Sequence, residues 1–514
     1  MKKYKSLKIG ILLAFVYFVI NLAIINDYGI SWDYHFHNYA GRHLLGLSVP
    51  SINDPSPVPF TPPDPRVTIN DPFGPIMSIV PVLSEVLLNE KFQILPFDSA
   101  YNLPSIIYGS LGVGILFIFL YEALGFGVAL TSSLFLGLLP NYFGYVHTNM
   151  KDIPVAVLYA LSIYLFWRLA NQPRIRNLIL AAVAFGLAFN IKINAITIPV
   201  VNLLWFIGIR GIRRIRDGQT FLPLLYFLIA PLFAVLIWWP FWTDPLAKLL
   251  ELPRTFSVNT YNIPVLFFGN IYKSGVNIPF FYPYVYLAVT TPLSILISFL
   301  AGLIVTIIRV RKGIHLLLLL WFFVPLLRFF DPHVSVIDGV RHFMEVVFPM
   351  CAIAGVGAMR IYGIIGKIRI IRDIRVIGVI ILLVALTKNI VDYHPYETSY
   401  FNSLVGGIKG AQGKFDIDFW GTPQREAILW LNINAPVNSY INVAMAQASA
   451  GMYAREDLRK LLNQKNIGES DYVVVLNRQS FWSAETISYM QMNEGKKIYK
   501  KTIDNIPLVW IYTR

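Results

Sequence analysis

Read for hydrophobic and polar positions, the chain is a succession of apolar runs separated by short charged segments. The first, about residues 9 to 26, follows Lys2, Lys3, Lys5 and Lys8. It resembles the start of a signal peptide but lacks a small-residue cleavage site and is followed by further runs, so it reads as a retained anchor with a cytoplasmic N-terminus. Further runs long enough to cross a bilayer fall at roughly 103–121, 126–144, 153–170, 177–191, 194–209, 220–242, 284–308, 314–330, 343–359 and 376–391, about eleven crossings in all. After residue 391 the texture changes. Tyr472–Leu476 and Leu508–Tyr512 read as buried strands, and Pro423 to Asn432 as a helix that opens at a proline. The expected architecture is a polytopic α-helical membrane domain over 1–391, with long outer loops at 27–102 and 243–283, and a small extracytoplasmic α/β domain over 392–514.

Composition agrees with this class. Of 514 residues, 56% are hydrophobic and 14% charged, a balance foreign to a soluble chain of this length. The cations sort by side: the N-terminal lysines, Arg168, Arg174, Arg176, the Arg210/Arg213/Arg214/Arg216 group, Arg309/Arg311/Lys312 and Arg360/Lys367/Arg369/Arg372/Arg375 all fall in loops assigned to the cytoplasm. Only Glu122, Asp217 and Asp373 oppose them there. The net charge of +14 is therefore a topology signal, and nucleic acid is not an expected partner. Cys351, the single cysteine, lies in an apolar run and has no internal disulfide partner. The proline-rich stretch Pro50–Pro75 predicts an extended outer loop, followed over Ile76–Leu88 by a short helix at the membrane boundary. With 243–283 it would roof a site.

Charges beside the apolar runs supply candidate chemistry. Asp33 stands in Ser31-Trp32-Asp33-Tyr34-His35-Phe36-His37 just beyond the first span, and His147-Thr148-Asn149-Met150-Lys151-Asp152 falls at the same face. A carboxylate near hydrocarbon is costly unless solvated, paired or used. Asp33 suits a base that takes a proton from an acceptor hydroxyl; the plainer reading is a helix N-cap or a solvated loop carboxylate. Asp33, His35 and His37 alternate as on one face of a strand, a spacing that also suits a metal. Asp152, with Pro154 in its first turn, suits a helix start, or a second acid that positions the acceptor, binds a metal ion or orients Lys151. Lys192 interrupts an apolar stretch, where it either snorkels to the interface or holds a lipid phosphate. Arg341-His342, after Asp331 and Asp338, offers the second cation.

As an ordered set these residues resemble the C-type membrane glycosyltransferases, in the branch of protein O-mannosyltransferases and lipid-A aminoarabinose transferases. The likeness rests on Asp33 in the first outer loop, His147-x4-Asp152, Lys192, Arg341-His342-Phe343, Tyr393-His394-Pro395-Tyr396-Glu397-x2-Tyr400-Phe401-Asn402-x3-Gly406-Gly407 and Phe419-Trp420-Gly421. It implies transfer of a sugar from a polyprenyl-phosphate carrier to an unidentified glycan, lipid or protein hydroxyl at the outer face of the cell membrane. Asp33 and Asp152 would be its catalytic acids. Lys192, Arg341 and His342 would face the carrier phosphate, and His35, His37, His147 and Lys151 would line the site. Many relatives carry Asp-Glu where this chain has Asp33-Tyr34. They differ in metal dependence, so a divalent metal is neither assigned nor dismissed. A transporter or lipid flippase would also need many spans and intramembrane charges, but its substrate site belongs near the bilayer midplane, whereas these charges gather at one face. A non-catalytic scaffold would tolerate loss of Asp33.

Overall fold

The computed structural model describes residues 2–48, 73–210, 220–239, 242, 244–258, 262–367 and 375–514. Most of Pro50–Pro75 and of the Arg210–Arg216 group, and Arg369 and Arg372, lie outside them. The helices run in chain order as α1 (Lys2–Ala23), α2 (Tyr34–Leu44), α3 (Pro75–Glu85), α4 (Phe97–Leu124), α5 (Phe126–Gly137), α6 (Pro140–Thr148), α7 (Asp152–Asn171), α8 (Ile175–Ile191), α9 (Thr197–Arg210), α10 (Phe221–Ile237) and α11 (Pro245–Val258). A hairpin, β1 (Pro264–Phe267) and β2 (Asn270–Lys273), precedes α12 (Tyr282–Thr290), α13 (Leu293–Ile308), α14 (Gly313–Leu326), α15 (Val347–Ile365) and α16 (Arg375–Tyr393).

Among the described residues six helical segments are long and apolar enough to cross a membrane: Tyr4–Ala23, Phe97–Leu124, Asp152–Asn171, Gly313–Phe330, Gly339–Ile365 and Arg375–Tyr393. The pair α5 and α6, bent by 60°, qualifies as a seventh, and Ile175–Ile191, Ile193–Ile209, Phe221–Ile237 and Leu293–Ile308 are shorter apolar helices. Two expected continuous spans are broken. Residues 126–144 bend before Pro140, and 284–308 divides at Thr291-Pro292, because proline lacks the amide hydrogen that would continue the helix ladder and crowds the preceding turn. The helix expected after the proline-rich stretch is α3, which Pro75 opens. The second outer segment carries α11 and the hairpin.

Glycine lets these helices approach closely. A Cβ on Gly357 of α15 would lie 1.9 Å from the Ser298 carbonyl and 2.4 Å from the Gly302 nitrogen on α13, so backbone meets backbone there.

The tail carries α17 (Gly407–Ala411), α18 (Gln424–Asn434), β3 (Ile441–Val443), α19 (Gln447–Tyr453), α20 (Glu456–Leu461), β4 (Tyr472–Leu476), α21 (Ala484–Met492), β5 (Lys497–Ile503) and β6 (Ile506–Thr513). Its sheet has the order β3-β4-β6-β5, with β3 parallel to β4 and the other pairs antiparallel. Asp504 and Asn505, both with positive φ, turn β5 into β6, the conformation a tight hairpin of right-twisted strands requires. Val474, Leu476, Val509 and Ile511 pack beneath α18 and α19, while Val473, Val475, Trp510 and Tyr512 fill the opposite face. Both strands and the proline-initiated helix coincide with the pattern in the sequence.

The close approach of α13 and α15 generates a stability prediction. Gly357→Val should lower the thermal midpoint in detergent strongly, since overpacking alone costs about 1–3 kcal/mol and here the obstacle is backbone. Gly363→Val, where no heavy atom lies within 4 Å of a new Cβ, should change it little. Equal midpoints for the two variants would contradict this packing.

Candidate active site

Asp33 and Asp152 come together at the ends of helices. Asp33 immediately precedes α2, but its side chain caps nothing, so the N-cap explanation does not account for it. Its carboxylate accepts from Lys151 Nζ and lies 3.9 Å from Arg341 Nη1. Asp152 opens α7; its Oδ1 accepts from Lys192 Nζ at 2.7 Å, and its Oδ2 from Asn149 Nδ2 at 2.9 Å. Arg341 Nη1 stands 3.6 Å from Asp152 Oδ2, so one guanidinium faces both carboxylates. The remaining arginine nitrogens are held by Asp338, with Nε at 2.9 Å and Nη2 at 2.6 Å from Oδ2.

Local structure supports this geometry. Tyr34 and Asn38 of α2 bond to Glu85 at the end of α3, Tyr34 at 3.0 Å and Asn38 at 2.6 Å. Arg42 bonds both Asn38 and Glu85. These links lock the helix that follows Asp33. At the head of α7, the Asn149 side-chain oxygen accepts from the backbone nitrogens of Lys151 and Asp152, fixing two charged residues in one turn. Trp420 and Phe73 supply aromatic walls: Arg341 and Lys151 lie 5.1 and 5.8 Å from the Trp420 centroid, and Lys151 and Lys192 lie 5.1 and 5.9 Å from that of Phe73. Such cation–ring contacts strengthen when water is excluded.

The two acids differ in access. The Asp33 side chain is 29% exposed and that of Asp152 only 1%, so Asp33 is the one open to solvent. Burial acts to raise the Asp33 pKa, but Lys151 and Arg341 outweigh it and hold the carboxyl well below the usual carboxylate range. His37 Nε2 lies 3.3 Å from Lys151 Nζ. Burial and the neighbouring Lys151 charge pull its pKa down to about 3, which keeps the ring neutral and able to accept from the ammonium.

The other candidates fall differently. Lys192 is buried against Asp152 and does not snorkel. His35 and His37 lie on a helix, not on a strand, so their two-residue spacing separates them; the His35 ring packs edge-on against Tyr34. His342 contributes its carbonyl, which accepts from Arg328 and Asn194. His147 stacks on Tyr28 with centroids 3.7 Å apart and bonds through Nδ1 to the Phe143 carbonyl; no hydrogen bond or ion pair joins it to Asp33 or Asp152. Near it a second cluster ties His394 to Asp27 and Glu397, and Tyr28 to Glu397.

Sequence reasoning missed the contributions of Asn149 and of Arg478, whose Nη2 donates to Asp338 Oδ1 at 2.7 Å. Asn149 lies inside the polar knot and was detectable as a helix-start residue. Arg478, which follows a strand in the tail, carried no local signal. Among the described residues no three His, Cys, Asp or Glu side chains gather as a metal-binding group. Asp33 and Asp152 are engaged by Lys151, Lys192 and Arg341, and a divalent cation between them would have to displace these charges.

Comparison with known proteins follows the same line. The family model for dolichyl-phosphate-mannose-protein mannosyltransferase matches residues 97–239. The fold is similar to that of ArnT from Cupriavidus metallidurans, with TM-score 0.52 and 12% identity to its apo structure and 0.51 and 12% to its structure bound to undecaprenyl phosphate. Both alignments cover 98% of this chain and 97% of the other. No curated protein matches in sequence. The expected resemblance is borne out in fold by ArnT and, over residues 97–239, in sequence by the mannosyltransferase family model.

The ion pairing of Asp33 is open to direct test. A carboxyl with a depressed pKa remains ionised well below its ordinary value and contributes stability that is lost only as pH falls through the lower, folded value. Infrared difference spectra between the wild type and Asp33→Asn should show no protonated Asp33 band down to about pH 4. In Lys151→Met that band should appear at higher pH, because the strongest opposing charge is gone. An unchanged titration would show that Lys151 does not control Asp33.

Proposed function

We propose that this protein is a membrane glycosyltransferase that moves a sugar from a polyprenyl-phosphate carrier to an acceptor hydroxyl, with Asp33 as the base. The observation that carries this reading is the shared guanidinium of Arg341 between an accessible and a buried carboxylate, with Lys151 and Lys192 alongside. The ArnT structure of similar fold with undecaprenyl phosphate bound supports a carrier of that class.

The reaction requires opposite charges at its two ends. The acceptor oxygen attacks the anomeric carbon as the bond from that carbon to the phosphate oxygen breaks. The departing lipid phosphate gains charge, which Arg341 and Lys192 stabilise. The acceptor hydroxyl becomes more acidic as its oxygen bonds to carbon, and its proton passes to Asp33. A carboxylate of low pKa is a weak base toward a free alcohol but an adequate one toward this late, acidified hydroxyl. Lys151 changes partner in the process: as Asp33 turns to the acceptor, the ammonium is released toward the phosphate. Asp152, out of reach of solvent, holds Lys192 in place and faces Arg341.

The topology we propose has eleven crossings, with the four shorter apolar helices and the bent pair each crossing once. The N-terminus is then cytoplasmic, and the tail and the site lie outside the cell membrane. Alternation of direction supports this: the end of α1, the start of α7, the end of α8 and the start of the segment leading into α15 all belong to one face. The loop arginines belong to the other.

Two outcomes test the proposal. With purified protein, a panel of polyprenyl-phosphate sugars and mass analysis of the released lipid phosphate, Asp33→Asn should lower turnover by about 10²–10⁴ while leaving carrier binding nearly intact. Retention of more than about a tenth of wild-type turnover removes Asp33 as the base. A reporter fused after Arg514 should be active only outside the cytoplasm and one after Asp217 only inside; a cytoplasmic tail would overturn the topology.

A further inference from the structure

Arg341 does not reach the reaction centre unaided. Asp338, which grips its other nitrogens, is 4% exposed and adopts a left-handed backbone conformation, φ 55° and ψ 49°, followed by Gly339 at φ 64°. Aspartate enters that conformation more readily than most non-glycine residues, and here neighbouring bonds hold it. The Gly339 nitrogen donates to Tyr282 Oη at 3.0 Å, which secures the turn, and the free oxygen of Asp338 is taken by the tail. Arg478 Nη2 donates to Asp338 Oδ1 at 2.7 Å and Arg478 Nη1 to the Phe419 carbonyl at 2.6 Å. The Arg478 guanidinium lies 3.9 Å from the Phe481 centroid and 5.3 Å from that of Trp32, the neighbour of Asp33. A single buried carboxylate is thus shared by two arginines, one beside the reaction centre and one beyond β4 in the tail.

One consequence follows from the geometry. With Asp338 engaged on Oδ1 by Arg478, Oδ2 is left for Arg341, so the third arginine nitrogen projects toward Asp33 and Asp152.

We infer that Arg478 is a positioning residue for the lipid phosphate, acting through Asp338 to orient Arg341, so that the tail is part of the carrier-binding site. The inference rests on the proposed polyprenyl-phosphate reading and goes beyond it in giving the tail a task at the phosphate.

The test is a double-mutant cycle read by equilibrium binding of undecaprenyl phosphate to the full-length protein in detergent. Arg478→Gln should weaken binding about tenfold in the wild-type background and change it less than about twofold in the Arg341→Gln background, because a residue that acts through Arg341 has nothing left to position. Asp338→Asn should reproduce the loss. Arg478→Lys, which keeps the charge but not the forked geometry, should fall between wild type and Arg478→Gln, and it serves as the test if the glutamine variant does not fold. Unchanged affinity in Arg478→Gln, or an equal loss in both backgrounds, overturns the inference while leaving the carrier assignment intact. A wild-type protein that does not bind the lipid phosphate overturns the carrier assignment and this inference together.

Discussion

The constraint on which the rest depends is the cost of holding charge away from water. Asp33, Lys151, Asp152, Lys192, Asp338, Arg341 and Arg478 come from five separate stretches of chain, and all but Asp33 are nearly removed from solvent. Breaking one such pair strands its partner, a loss of roughly 3–5 kcal/mol where burial is complete. Each helix end that delivers a charge must therefore be held in place. Glu85 with Tyr34, Asn38 and Arg42 does this for Asp33, Asn149 for the head of α7, and the Asp338-Gly339 turn for Arg341.

Electrostatic preorganisation of this kind is also what group transfer to and from a phosphate demands. Cations fixed before the reaction need not reorganise as charge develops, and the aromatic faces of Trp420 and Phe73 confine them without offering a competing anion. In the proposed reaction the unequal exposure of the two carboxylates divides their tasks: the accessible one meets the acceptor, while the buried one holds its neighbours.

Much of this was legible in the sequence, for a physical reason. Membrane helices alternate direction, so a charge at the end of one apolar run can be assigned to a face without knowing the packing. That logic brought Asp33, Lys151, Asp152, Lys192 and Arg341 to one boundary, where they touch. It failed where rotation about a helix axis decides. His147, four residues before Lys151, lies on a separate short helix whose direction turns its ring onto Tyr28, and His35 and His37 diverge because their segment is helical. It failed also where two distant segments meet. The link between Asp338 and Arg478 spans 140 positions, and neither residue's local pattern announces it. The breaks at Pro140 and Pro292 were visible as residues, but hydropathy averaged over a window smooths them away.

The β1–β2 hairpin gives the tail a different standing from that of an appended module. The Leu266 nitrogen donates to Asp416, the Gly269 nitrogen to the Lys414 carbonyl, and Phe267 pairs with Phe415 beside Tyr282 and Tyr286. Phe401, Phe415, Ile417, Phe419 and Trp420 belong to the same continuous apolar core as the helix bundle. Composition changes near residue 392, yet residues 401–420 pack into the bundle's core, while the sheet beyond them has apolar clusters of its own. A chain severed after Tyr393 would therefore present bare aromatic surface along the hairpin, where the first part of the tail now docks.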